Sequence, residues 1–121
     1  MTESVFYKDW ASPNYLGKSG LEAMLNDFEI DLEAIAGADI LFAQYEIDGY
    51  EGSAYVLFSR DGKLFEVVGG HCSCDGLEGQ WEPEEVAAEA LRHRLMSGEY
   101  FSAINAKDTL LRIVDGLSAS N

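Results

Sequence analysis

Only eight Lys and Arg stand against 22 Asp and Glu in this chain of 121 residues, which leaves a formal net charge of −14. That shortage of bases excludes the clustered cations that phosphate contacts need, and with them direct binding of nucleic acid. Long apolar runs are missing too. None approaches the ~18–20 residues of a membrane helix. The opening MTESVFYKDW has no basic segment followed by an apolar block, so no signal peptide is expected. The expected location is the cytoplasm.

Cysteine is equally scarce. Cys72 and Cys74 are separated by one residue, a spacing that strains a disulfide. They are read as free thiols or as metal ligands. Familiar catalytic motifs are absent: there is no glycine loop followed by Lys, no G-x-S-x-G and no H-E-x-x-H. Leu16-Gly17-Lys18-Ser19 looks like the end of a phosphate loop, but it lacks the first glycine and a preceding strand. No catalytic residue is assigned and no enzymatic activity is expected.

What is present suits one folded domain over residues 1–121. Hydrophobic residues make up 47% and aromatics 12%, enough to bury a core. The acids are unevenly spread. Between Lys18 and Arg60 there is no base but nine acids: Glu22, Asp27, Glu29, Asp31, Glu33, Asp39, Glu46, Asp48 and Glu51. Seven more lie between Lys63 and Arg92. Such a field repels nucleic acid and attracts cationic surfaces.

Local signals give an order of elements. The first 18 or so residues read as irregular, with Ser12-Pro13-Asn14 as a turn. Ser19 and Glu22 form a capping-box pattern before Leu21, Met24, Leu25 and Phe28, which predicts a helix over 20–28. Asp31 can cap a short helix, Leu32 to Ala36, closed by Gly37. Ile40 to Ile47, Ser53 to Ser59 and Leu64 to Val68 read as strands. Asp61-Gly62 predicts a type I′ hairpin turn, since both central positions then take positive φ. That turn sets Phe58 opposite Phe65 and Val56 opposite Val67 on one side of the sheet, the expected core. Tyr55, Leu57, Glu66 and Val68 fall on the other, mixed side. Pro83 predicts a helix start, with Glu84 and Glu85 in its first turn and Gly98 at its end. Its buried stripe is Val86, Ala87, Ala90, Leu91 and Leu95. A last helix is expected over about 107–116, with Leu110, Leu111, Val114 and Leu117 packed inward. The class is α+β: a three-stranded antiparallel meander with helices before and after it, packed mainly on one face.

The segment GGHCSCDGLEGQWEPEE, Gly69 to Glu85, admits three readings. His71, Cys72 and Cys74 could bind zinc, but structural sites use four ligands and the usual Cys spacing is wider. A Cys–His nucleophile needs positive neighbours to form a thiolate, and here the neighbours are Asp75 and Glu78. The third reading is a structured connector. Gly69-Gly70, Gly76 and Gly79 allow its turns, and Trp81 locks it beside the next helix. On that reading no cofactor is required, and zinc is the alternative.

The run YEGSAYVLFSRDGKLFEVVGGHCSCDGLEGQWEPEE resembles small phage and prophage proteins that carry a strand–DG–strand hairpin followed by an HCSC-x-GLE-x-QWEPE segment. The matching residues are Asp61, Gly62, Leu64, Glu66, Val67, His71 to Cys74, and Gly76 to Glu84 apart from Gly79. They cover about a third of the chain, Tyr50 to Glu85. No activity is assigned to that group, so the resemblance implies a context alone: an accessory protein of a mobile genetic element.

Context and charge together suggest an inhibitor of host defence, similar to anti-restriction and anti-CRISPR proteins that mimic DNA. Its partner would be a host protein or nucleoprotein complex with a basic groove, which the carboxylates occupy in place of phosphates. The expected contact residues are Asp27, Glu29, Asp31 and Glu33, then Glu46, Asp48 and Glu51, with Tyr45, Tyr50 and Tyr55 as aromatic anchors. Two rival readings are a zinc domain on His71, Cys72 and Cys74, and a self-associating homodimer built on the Tyr55, Leu57 and Leu64 side of the sheet.

Overall fold

The computed structural model describes residues 5–8, 10–11, 17, 20–48, 51–71, 77–97 and 107–119. Strands β1 (Val5–Lys8), β2 (Asp39–Asp48), β3 (Glu51–Arg60), β4 (Lys63–His71) and β5 (Glu84–Glu85) form one sheet in sequential order. Helices α1 (Gly20–Phe28), α2 (Ala88–Ser97) and α3 (Lys107–Ala119) pack on it, and a 3₁₀ turn covers Leu32–Ile35. The class is α+β, as expected, but the meander β2–β3–β4 is only the centre of the sheet.

Local chemistry explains that centre. Asp61 and Gly62 take φ of 54° and 78°, the two positive values that a type I′ turn needs. The register follows: Phe58 pairs Phe65, Val56 pairs Val67, Tyr55 pairs Val68 and Leu57 pairs Glu66. In α1, Ala23, Met24 and Phe28 recur at helical spacing and are buried. Asp31 caps the 3₁₀ turn, its side chain accepting from the Glu33 N–H at 3.1 Å. Gly37 then turns the chain with φ 78°.

The outer strands differ from the sequence reading. Val5–Lys8 pairs parallel to β2, Val5 opposite Phe42. Pro83 does not start a helix. Glu84 and Glu85 pair with Glu66 and Phe65 as an edge strand, and the Val86 N–H reaches the Leu64 carbonyl at 2.9 Å. Extended backbone at this point satisfies edge groups of β4 that a helix would leave open. The helix therefore begins later, at Ala88, and its stripe is Leu91 and Leu95, while Ala87 and Ala90 are exposed.

The helices do not share one face. One apolar layer joins Trp10, Ala23, Met24 and Phe28 to Ile40, Ala43, Tyr45, Val56, Phe58 and Val67. The other joins Leu91, Leu95, Leu110 and Val114 to Leu41, Phe42, Tyr55, Leu57 and Leu64. A register shift between Ile40 and Phe42 makes this possible. The extra residue lets both Leu41 and Phe42 face α2 and α3, while Ile40 faces α1. Ser12-Pro13-Asn14, Ser19 and Gly98 lie outside the described residues, and so does the side chain of Leu117.

Candidate functional site

Charge is unevenly divided between the two helical layers of this fold, while strand alternation puts the sheet's Arg60 and Lys63 on the α1 side. Over residues 20–38, the layer of α1 and the 3₁₀ turn, the acids are Glu22, Asp27, Glu29, Asp31 and Glu33, with no Lys or Arg. The layer of α2 and α3 carries Glu89, Asp108 and Asp115 against Arg92, Arg94, Lys107 and Arg112. Two of those bases are engaged locally: Arg92 with Asp115 at 2.9 Å, and Arg94 with Glu66 at 2.9 Å. Arg60 lies over the rings of Phe58 and Phe65, its guanidinium carbon 5.6 and 5.5 Å from their centroids.

Within the acidic layer, Glu22, Glu29, Asp31 and Glu33 are exposed. Glu29 takes φ 55° where α1 ends, and this bend swings the chain toward the 3₁₀ turn. Leu32, 66% exposed, stands between Asp31 and Glu33. Glu22, Leu25, Asn26, Glu29 and Ile30 line a shallow open depression on this layer. Asp27 differs from its neighbours. It is half-buried and accepts from the Trp10 indole N–H at 2.7 Å, so it anchors Trp10 in the core rather than facing a partner.

The second expected acidic group falls on the opposite side. Alternation along β2 puts Glu46 on the face of Phe42, away from the one that α1 covers. Glu46 is exposed there. The side chains of Asp48 and Glu51 lie outside the described residues, as does Tyr50. The structure thus does not join Glu46 to Glu29, Asp31 and Glu33 on one face. Two of the expected anchors are also misplaced: Tyr45 and Tyr55 are buried, one in each apolar layer.

Tyr55 belongs to a polar network under α2. Its hydroxyl donates to Glu66 Oε1 at 2.9 Å, and Arg94 Nη2 donates to both Glu66 oxygens at 2.9 Å. Burial, reinforced by the Glu66 carboxylate, pushes the Tyr55 phenol well above the usual tyrosine range. Because α2 and α3 cover Tyr55, Leu57 and Leu64, these three side chains are not exposed for the self-association considered above.

The connector after β4 is described from Leu77 on. Gly79, with φ 79°, shapes a turn closed by the Gln80 N–H on the Leu77 carbonyl at 3.0 Å. Trp81 packs on Phe28 and Phe58, with centroids 5.1 and 5.9 Å away, so it locks the segment against α1 and the sheet rather than against α2. A Cβ at Gly69 would sit 3.0 Å from Leu77 Cδ2, which explains a glycine there. Cys72, Cys74, Asp75 and Gly76 lie outside the described residues, as does the side chain of His71. Among the described residues no three His, Cys, Asp or Glu side chains gather into a metal-binding group. No described helix is long and apolar enough to cross a membrane.

No family model, curated protein or solved structure matches this chain. The resemblance to phage proteins gains no support from those comparisons.

Proposed function

We infer that this chain is a non-enzymatic acidic inhibitor. It docks its α1–3₁₀ layer on the cationic, nucleic-acid-binding groove of a host defence complex, in the manner of anti-restriction or anti-CRISPR mimics. The observation that carries this reading is the set of exposed carboxylates on the α1–3₁₀ layer, which itself holds no base, although strand alternation puts Arg60 and Lys63 on the face of the sheet that this layer covers. Exposed Glu22, Glu29, Asp31 and Glu33 share a layer with no base, whereas Arg92, Arg94, Lys107 and Arg112 belong to the opposite layer. A cluster of exposed carboxylates steers a cationic receptor to the layer that carries it. Leu32, exposed between Asp31 and Glu33, adds an apolar contact. Glu46 lies outside this patch, and the buried Tyr45 and Tyr55 serve as core.

The test is capture of partners from host lysate by the immobilised full chain, at low and at high salt, with identification of what is retained. The expected result is a nucleic-acid-binding complex held at low salt and released as salt shortens the screening length to ~3 Å near 1 M. Retention of no such complex at either salt contradicts the reading.

A further inference from the structure

Helix α2 turns Leu91 and Leu95 into the core, and this fixes which residues it sends outward. Glu89, Arg92, His93 and Met96 recur at helical spacing on the outer side and line one open depression. Arg92 is drawn toward α3 by Asp115 at 2.9 Å. Glu89, His93 and Met96 are exposed, and among the described residues none of the three has a hydrogen-bond, ion-pair or ring partner. A carboxylate, an imidazole and a thioether thus face one depression with their donor atoms uncommitted. His93 and Met96 stand three residues apart, which on a helix sets their Cβ atoms ~5–6 Å apart. Two side chains at that separation can close on a single ion, held at roughly 2 Å by nitrogen and slightly farther by sulfur.

We propose that an imidazole nitrogen of His93 and Sδ of Met96 bind copper(I) on the outer face of α2. The donor types select the ion. A thioether is a soft ligand, and copper(I) takes it together with imidazole. Calcium and magnesium want a cage of oxygens, and structural zinc wants four ligands drawn from thiolate, imidazole and carboxylate. Glu89, four residues before His93 on the same face, offsets the charge of the ion and of the neighbouring Arg92. The net charge of −14 raises the concentration of cations around the whole molecule. Binding leaves the core untouched, because all three side chains already face solvent. The proposal is independent of the docking reading above, since α1 and α2 pack on opposite faces of the sheet.

The experiment titrates the full chain with silver(I), a soft monovalent ion that stands in for copper(I) in air, in chloride-free buffer. Methionine methyl and histidine ring signals are followed by NMR. Cys72→Ser and Cys74→Ser are introduced first, because thiolates compete for the same ions. The Met96 methyl and the His93 ring should shift along one binding curve, while the methyl of Met24, buried in the core, stays in place. His93→Ala should weaken the Met96 response roughly tenfold or more, and Met96→Leu should do the same to the His93 response. A Met96 response that His93→Ala leaves unchanged overturns the shared site. Zinc(II) binding to the pair as tightly as silver(I) overturns the choice of a soft ion. Copper(I), added without air, should displace silver(I) from the same two signals, and a failure to do so overturns the choice of metal. If the chain without thiols does not fold, the parent chain is titrated past the silver its thiols take up. Met96 and His93 signals that do not move together there also overturn the proposal.

Discussion

Replacing Arg94 by Met should cost far more stability than replacing Arg92 by Met, although both arginines sit on α2 and both pair with a carboxylate at 2.9 Å. The difference lies in burial. The Arg92 and Asp115 side chains are 50% and 55% exposed, and such pairs contribute ~0–1 kcal/mol. In the other pair, Glu66 is 12% and Arg94 32% exposed. Loss of one partner from a fully buried pair costs ~3–5 kcal/mol. A part-buried Glu66 that keeps the Tyr55 hydroxyl should fall between these limits, at ~1.5–2.5 kcal/mol. In urea, where domains of this size lose ~1–3 kcal/mol per molar, that is a midpoint shift of roughly 1 M for Arg94→Met. Arg92→Met should move the midpoint by no more than a few tenths. Adding Glu66→Gln to Arg94→Met should recover part of the loss, because the stranded charge is then gone. Equal shifts for the two arginine variants would refute the argument that burial decides.

Further outcomes follow from the same geometry. Gly69→Ala places a Cβ 3.0 Å from Leu77 Cδ2 and should destabilise by ~1–3 kcal/mol, read by the same urea curves. Tyr55 should keep its proton in the folded state while unfolded tyrosine ionises near ~10. The unfolded state then binds fewer protons, so the stability from Tyr55 is whole below that pH and declines above it. Phenolate absorbance and melting curves between neutral and alkaline pH check the order of events. On the reading that no metal supports the fold, dialysis against a chelator should leave the melting temperature unchanged, and elemental analysis should find no stoichiometric zinc.

The parts of the fold legible in the sequence are those that a few neighbouring residues decide. Asp61-Gly62 fixed a turn type, and the turn fixed the pairing of Phe58 with Phe65 and Val56 with Val67. Asp31 was readable as a cap because its carboxylate acts two residues away. The edge strands were not readable. Val5–Lys8 and Glu84–Glu85 are strands only because distant β2 and β4 offer open backbone groups. Glu-Pro-Glu-Glu carries good helix-start chemistry, and long-range pairing overrode it. Helical spacing showed that α1 and α2 each have an apolar stripe, but not that the stripes meet opposite faces. The candidate site suffered for the same reason. The period-two alternation of β2 sends Glu46 away from the α1 layer, and the local sequence around Glu46 does not say where α1 packs.

The central claim is that the carboxylates of the α1–3₁₀ layer, and not total charge, engage a cationic receptor. It is tested most directly with two variants of equal net charge. In one, Glu29→Gln, Asp31→Asn and Glu33→Gln remove three of the layer's five carboxylates, with Asn chosen to keep the cap on the 3₁₀ turn. In the other, Glu89→Gln, Asp108→Asn and Asp115→Asn neutralise the α2–α3 layer. Retention of the host complex from lysate should collapse for the first variant and persist for the second. Equal weakening in both would mean that net charge alone binds, and would contradict the account.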